Sequence, residues 1–244
     1  MRVLLTIARR EFVAYFLTPL AYVFLVVFLV AAAVAPFYFG GFMERRQADL
    51  IPFFDFHPWL FLILMPAIGM RLWTDERRSG SIELLMTLPV TAWQAVWGKF
   101  LAAWAFATFA LLLTFPIVLT VNRLGNPDNG VILAGYVGSF LMAGGLLALA
   151  SCISALTKSQ VIAFVISVVA GFLLMVTSLD LVLGVFTGWA PAYVVDLVAS
   201  FSLRTHFYDF RNGIIDLSSV IFFLTLIGLL LLINRQIIEI KKAG

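Results

Sequence analysis

Apolar residues are gathered into six long runs that are separated by short polar segments. The runs cover roughly residues 19–40, 53–72, 96–121, 131–156, 160–183 and 216–235. A helix needs about 20 apolar residues to cross a bilayer, and a backbone inside hydrocarbon must satisfy its own hydrogen bonds. No run shows the sustained alternation of a membrane barrel strand. We therefore predict an all-α integral membrane fold with six transmembrane helices.

The composition agrees with that prediction. The chain has 244 residues, of which 63% are hydrophobic and 12% are charged, far from the average of soluble domains. Six helices and their loops use nearly the whole length, so we expect a single domain over residues 1–244. A cleaved signal after Ala35 is disfavoured because the apolar stretch 20–39 is longer than a signal core. The single cysteine, Cys152, allows no disulfide within one chain.

Basic residues are distributed unevenly around the six runs. Eleven of the sixteen Lys and Arg residues fall on one side, which the positive-inside rule assigns to the cytoplasm. We therefore expect both termini in the cytoplasm. The eleven are Arg2, Arg9, Arg10, Arg71, Arg77, Arg78, Lys99, Lys158, Arg235, Lys241 and Lys242.

The stretch 184–203 is apolar enough to resemble a seventh span. It contains Gly188, Pro191 and Asp196, and a seventh crossing would move the basic C-terminal end to the outside. We interpret it as a re-entrant or interfacial hairpin on the outer side, within an outer segment 184–215. Such backbone is tolerated only where protein or a water-filled cavity covers it.

Residues 1–16 predict an amphipathic helix lying in the cytoplasmic interface. Arg9 and Arg10 share its basic face, while Glu11 projects from the apolar side. A buried carboxylate needs a partner, and we expect a basic residue of the cluster 71–78 to supply it. The alternative is that Glu11 reaches water at the interface.

The polar segment after the second run combines a charged cluster with helix start and stop signals. Ser79 or Ser81 can cap a short helix over residues 82–88, which Pro89 ends. Thr91 and Gln94 then have the spacing of a capping box that starts the next helix. The segment 73–90 thus predicts a stiff surface helix through which a movement would reach the second and third spans. The alternative is an ordinary solvated loop.

Residues 76–85, 88–91 and the pair Gly98-Lys99 resemble the cytoplasmic signature of ABC-2-type transporter permeases. Residues 201–216 are similar to the branch that contains the GldF and NosY permeases. The resemblance implies a coupling helix that docks on the ATPase. The residues it assigns to ATPase coupling are Glu76, Arg77, Arg78, Gly80, Glu83, Leu84, Leu85 and Pro89.

The resemblance also implies an assembly. It consists of two ABC ATPase subunits and a second copy of this permease or a related one, in the bacterial cytoplasmic (inner) membrane. ATP and magnesium are expected on the partner ATPase and no cofactor on this chain. We expect no nucleic-acid partner.

Charged and aromatic residues alternate in the outer segment before the last span. They predict an outer gate or a contact with an extracytoplasmic partner, and the alternative is a solvated loop with aromatic side chains at the interface. The residues marked for this role are Trp189, Asp196, Asp209, Arg211 and Asp216. A metal site formed by His57 and His206 is disfavoured, because metal ligands usually cluster.

Three functional classes remain at this stage. The first is a permease driven by a separate ATPase, since the chain has no phosphate-binding loop of the form G-x-x-x-x-G-K-[ST]. The second, an ion-coupled transporter, would place ionisable residues near the bilayer centre, whereas Asp55, Arg71, Lys99 and Asp180 fall near the ends of the runs. The third is a membrane enzyme acting on lipid, which would need clustered Asp, His or Cys. The substrate, and the choice between export and force transmission, stay open.

The fourth run carries small residues at near-helical spacing, a pattern that allows helices to approach closely. They are Gly138, Gly144, Gly145, Ala148 and Ser151. We expect them to pack within one subunit, with a dimer contact as the alternative.

Overall fold

The computed structural model describes residues 2–42, 47–80, 90–179, 182–184, 191, 193 and 199–242. Within these ranges the secondary structure is helical. The main helices are α1 (Arg2–Phe16), α2 (Pro19–Tyr38), α3 (Ile51–Gly69), α4 (Arg71–Ser79), α5 (Ala92–Leu112), α6 (Phe115–Leu124), α7 (Asn129–Ser154), α8 (Gln160–Val176), α9 (Leu203–Arg211) and α10 (Leu217–Lys242).

Five helical stretches of the described chain are long and apolar enough to cross a membrane, so this is a multi-pass membrane protein. They are Pro19–Tyr38, Ile51–Ser79, Ala92–Leu124, Asn129–Ser154 and Leu217–Ile240. The predicted span 160–183 is represented by α8, which has only 17 residues. The chain turns after Val176, where the Thr177 hydroxyl donates to the Leu174 carbonyl.

Helix α7 lies at the centre of the bundle and contacts α3, α5, α8, α9 and α10. Its glycines make this possible. A Cβ on Gly138 would lie 2.4 Å from Phe210 Cβ, and one on Gly144 would lie 2.8 Å from the Trp104 ring. The predicted small-residue face therefore packs against helices of the same chain.

Helix α3 continues into α4 with only Met70 between them, so the charged residues 71–79 are helical. From the sequence we expected the span to end at residue 72 and the chain to leave the membrane there. The side chains of Leu72, Trp73 and Thr74 are buried, and this burial extends the helix beyond the apolar run. Gly80, in the left-handed region with φ of 71°, ends α4.

Helices α5 and α6 divide the third predicted span at Leu113 and Thr114. Pro116 in the first turn of α6 has no N–H with which to continue the ladder. At the break the Leu111 carbonyl accepts from both the backbone N–H and the hydroxyl of Thr114, at 3.0 and 2.6 Å. The predicted capping box is confirmed at the other end of α5, where Thr91 and Gln94 bond each other's backbone N–H groups.

Helix α1 confirms the helix predicted over residues 1–16 and packs along α5. Gly98 allows the close approach, because a Cβ there would lie 2.7 Å from Ile7 Cγ2. Tyr15 stacks on Phe106 with ring centroids 5.0 Å apart. Helix α1 is therefore held against the third predicted span.

Helix α9 occupies part of the segment 184–215 that the sequence divided into an outer hairpin and a loop. Residues 203–211 form a helix that the Ser202 hydroxyl caps by accepting from the Thr205 N–H. Leu203, Phe207 and Phe210 are buried, since this face packs on α7. Residues 185–190 and 194–198 of the predicted hairpin lie outside the described part of the chain.

Candidate functional site

A buried lysine joins three helices at the base of the bundle. Lys99 on α5 is 2% exposed. Its ammonium hydrogen bonds to Glu76 Oε1 on α4 and lies 3.5 Å from Glu11 Oε1 on α1. It also lies 5.3 Å from the centroid of the Trp73 ring. We refer to Glu11, Trp73, Glu76 and Lys99 as the Lys99 cluster.

The hydrogen-bonding capacity of the Lys99 cluster is used only in part. Burying an ammonium group costs much free energy unless carboxylates face it, and here two do. Arg10 adds a second cation, with Nη2 at 2.7 Å from Glu11 Oε1. Among the described residues, Glu76 Oε2 is buried without a hydrogen-bond partner. The cluster therefore retains one unused acceptor.

Burial acts to raise the pKa of Glu11, but the charges of Lys99 and Arg10 outweigh it and hold that pKa below its usual value of 4.5. A lowered pKa means that the carboxylate stabilises the folded protein above pH 4.5. That contribution is lost as the pH falls through the lower folded value.

We therefore expect the melting temperature of the purified wild-type protein to fall below pH 4.5, and Glu11→Gln to remove part of this fall. Thermal unfolding followed by tryptophan fluorescence from pH 7 to pH 3 measures both proteins. If the melting temperatures of the two proteins fell with pH by the same amount, the assigned pairing of Glu11 with Lys99 and Arg10 would be contradicted.

Helix α4 is also attached on its opposite side. Trp73, which is fully buried, donates from Nε1 to Ser151 Oγ on α7 at 3.3 Å. The same oxygen accepts from Asn234 Nδ2 on α10 at 2.7 Å. Ser151 thus links α4, α7 and α10 inside the bundle.

Further contacts hold the charged face of α4. Arg77 donates to the Ala155 carbonyl at the end of α7, at 2.7 Å. Asp75 accepts from Gln160 at the start of α8, and Arg71 Nε lies 3.5 Å from Asp75 Oδ2. Arg78 is exposed. Helix α4 is therefore tied to α1, α5, α7, α8 and α10, with its last turn accessible.

A second group of polar contacts lies at the opposite end of the bundle. Arg211 Nε is 2.9 Å from Asp55 Oδ1, although its N–H is not aligned for a hydrogen bond, and the guanidinium lies 4.3 Å from the Tyr208 ring centroid. Asp209 accepts from the Ser219 hydroxyl, which also contacts His206 Nδ1. These contacts join α9 to α3 and α10.

Comparison with known proteins identifies the family. Residues 8–174, more than half of the chain, match the family model described as "ABC-2 family transporter protein". The chain belongs to the ABC-2 transporter family. A search of curated proteins finds no match.

Membership has direct consequences for the class of function. An ABC-2 chain is a membrane transport component rather than an enzyme, and the family implies an ABC ATPase partner and a lipid bilayer. The matched region contains the whole Lys99 cluster and all of α4.

The structure separates the predicted coupling residues of this ABC-2 chain into groups. Glu76 and Arg77 are engaged in contacts within the bundle, whereas Arg78 and Gly80 are exposed. The remaining four, together with the predicted short helix 82–88, lie outside the described residues: Glu83, Leu84, Leu85 and Pro89.

The expected partner of Glu11 is corrected. Its cations are Lys99 and Arg10, not a basic residue of the cluster 71–78, because α1 packs along α5 and brings residue 11 to residue 99. Arg9 is exposed, as its place on the basic face predicts.

Sequence reasoning missed Lys99 as a site residue. It placed Lys99 near the end of the third span, whereas α5 begins at Ala92 and Lys99 is buried within it. The sequence carries a general signal, since one lysine on an otherwise apolar helix needs a carboxylate, but it does not indicate which acids supply it.

The structure describes three of the five residues marked for the outer gate or partner contact. Asp209 and Arg211 are in the contacts described above, and Asp216 accepts from the Ser218 hydroxyl. Trp189 and Asp196 lie outside the described residues. His57 is buried in α3, with Nδ1 at 2.7 Å from Ser139 Oγ. Within the described ranges no three metal-binding side chains cluster.

Proposed function

We propose that this chain is the transmembrane permease subunit of an ATP-driven transporter, powered by a separate ATPase subunit that binds ATP and magnesium. It moves a substrate outward or transmits ATP-driven motion across the membrane. The observation that carries the proposal is the attachment of α4. Its accessible end is continuous with residues that are fixed inside the bundle.

The contacts of α4 favour rigid-body transmission. A displacement applied beyond Gly80 reaches α1 and α5 through Glu76 and Lys99, and α7 and α10 through Trp73 and Ser151. Packed interiors resist local deformation, so helices tied at several points move together. This distributes one local movement over most of the bundle.

The finer arrangement belongs to the same proposal. We infer six spans, with α8 as the fifth, and both termini in the cytoplasm. The segment 73–90 acts as the coupling segment, residues 1–16 as the interfacial helix, and residues 184–215 as an outer gate or partner contact. Two ATPase subunits and a second copy of this permease or a related one complete the assembly. The similarity of residues 201–216 supports the GldF/NosY-like branch.

One observation favours a second candidate, an ion-coupled transporter. Lys99 is a buried charged side chain facing two carboxylates, and charged residues inside membrane-spanning helices mark ion and proton pathways in transporters. Transport by that mechanism would stop when the proton gradient is dissipated and continue when ATP is depleted. Transport by an ATP-driven permease shows the opposite dependence.

The association test uses the full-length chain purified from its native membranes. We expect ATP hydrolysis to co-purify, together with a subunit whose sequence contains a phosphate-binding loop. Gly80→Trp is expected to lower the co-purified hydrolysis per mole of chain about tenfold, the effect of losing one hot-spot contact. Glu83→Ala is expected to act in the same direction.

Gly184→Trp is the control for the added bulk. A Cβ at Gly184, like one at Gly80, meets no described atom within 4 Å, and Gly184 is on the predicted outer side. Glu83→Ala is free of the backbone strain that a side chain meets at Gly80, where φ is 71°, and therefore separates lost coupling from that strain. Undiminished hydrolysis in Gly80→Trp and Glu83→Ala, with the ATPase subunit still bound, would contradict the assignment of the coupling segment.

A further inference from the structure

Three cavities that share lining residues follow one another from the apolar middle of the chain to its charged base, and we refer to the three together as the path. The first is an open groove of about 550 Å³ between α2, α3 and α8, lined only by apolar residues. Phe24 and Ala67 line both this groove and a narrow passage of about 10 Å³. Tyr15, Thr18 and Arg71 line both the passage and a charged pocket of about 150 Å³.

The two ends of the path differ in chemistry. The groove presents only side chains such as Val27, Phe28 and Leu64, and Val27 is 60% exposed. The charged pocket is lined by residues of both signs: Arg71 and Lys99, with Glu11, Asp75 and Glu76. The path is therefore apolar along most of its length and ionic at one end.

The charged pocket holds one unused acceptor. Glu11 and Asp75 have further partners in Arg10 and Gln160, whereas Glu76 Oε2 is buried without a hydrogen-bond partner among the described residues. A cationic donor entering the pocket would satisfy that oxygen. Arg71 is the group that can meet an anion, since guanidinium binds phosphate oxygens in a bidentate manner.

We propose that this path binds one phospholipid with a primary-amine headgroup, of the phosphatidylethanolamine class. One acyl chain occupies the groove, the phosphate lies against Arg71, and the ammonium group donates to Glu76 Oε2. The chain spans a bilayer, so phospholipid is the solvent that meets the groove. This inference requires the membrane location only and does not depend on the proposed coupling to an ATPase.

A second copy of the chain is a weaker occupant of the same groove. An apolar helix from another copy could cover α2 and α8, but it would leave the charged pocket and Glu76 Oε2 unfilled. An amphipathic molecule with a headgroup of both signs fills both ends of the path. Choline headgroups lack an N–H donor, so the ethanolamine class is favoured over the choline class.

The test is native mass spectrometry of the full-length, delipidated protein titrated with phosphatidylethanolamine and phosphatidylcholine of identical acyl chains. The wild-type protein is expected to bind the ethanolamine lipid about tenfold more tightly, the effect of one charge-assisted hydrogen bond. Phosphoethanolamine, which has no acyl chains, is expected to compete only weakly.

Matched variants locate the two ends of the path. Ala31 lines the groove, so Ala31→Phe is expected to weaken binding of both lipids, whereas Ala33→Phe on the same helix leaves binding unchanged. Arg71→Gln is expected to weaken both lipids about tenfold, with Arg78→Gln as its control. Glu76→Gln is expected to abolish the preference for ethanolamine.

Several results would overturn the proposal. Equal affinity of the wild-type protein for the two lipids would contradict the assigned contact between the ammonium group and Glu76. This result is obtained with the wild-type protein alone. Unchanged lipid binding in Ala31→Phe would contradict the assignment of the groove as the acyl-chain site. Dissociation of a dimer by Ala31→Phe without loss of bound lipid assigns the groove to a second copy. Competition by phosphoethanolamine at the lipid's own affinity assigns the pocket to a soluble phosphate.

Discussion

Lys99→Met is expected to destabilise the folded protein by about 3 kcal/mol, because it leaves buried carboxylates without their cation. Methionine has a similar length and fills the same space, so the effect measures the lost charge rather than a cavity. For a chain of this size the melting temperature should fall by roughly 10 °C. Thermal unfolding of the purified protein, followed by tryptophan fluorescence, provides the measurement.

Two further variants separate the ion pair from general damage. Lys158→Met removes an exposed lysine and is expected to change the melting temperature by no more than about 1 °C. Adding Glu76→Gln to Lys99→Met removes one of the uncompensated charges and should recover part of the loss. A double variant that is less stable than Lys99→Met would show that Glu76 does not depend on Lys99.

Trp73→Ala is expected to lower the free energy of unfolding by about 4 kcal/mol, the largest packing effect of any single change at this site. The ring is fully buried between Lys99 and Ser151, so its removal empties the centre of the attachment of α4. Trp73→Phe keeps most of the packing and loses the hydrogen bond to Ser151, so its free energy of unfolding is expected to fall by about 1 kcal/mol. Denaturant or thermal unfolding distinguishes the two losses.

Trp59→Ala is the control for the loss of a tryptophan. Trp59 is 44% exposed and lies at the opposite end of the bundle, so its replacement is expected to have a much smaller effect. Equal destabilisation by Trp73→Ala and Trp59→Ala would show that α4 is not held through Trp73.

Local signals predicted the local structure correctly. The Thr91 and Gln94 pair was recognised from spacing alone, because a capping box involves residues three apart. The helix over residues 1–16 was predicted from its periodicity. The small residues of α7 were predicted to pack within one subunit, and Gly138 and Gly144 do so.

The missed features depend on tertiary contacts. The second span was expected to end at residue 72 because the charges that follow suit water, yet Trp73 and Thr74 are buried in α4 and Trp73 donates to Ser151 on α7. Nothing in the sequence around Glu11 indicates that Lys99, 88 positions away, is its partner. Likewise, residues 203–211 lack a long apolar run, and only packing on α7 reveals which face of that helix is buried.

The most direct measurement determines from which side of the membrane a thiol reagent reaches residue 79. In a Cys152→Ala background, Ser79→Cys is treated with a membrane-impermeant maleimide in intact cells and in inverted vesicles. Ser79 and Asn126 are both exposed, and Asn126→Cys on the predicted outer side is the control. We expect labelling of Ser79→Cys only in inverted vesicles and of Asn126→Cys only in intact cells. Labelling of Ser79→Cys in intact cells would place the end of α4 outside the cytosol and contradict its role as the contact for an ATPase.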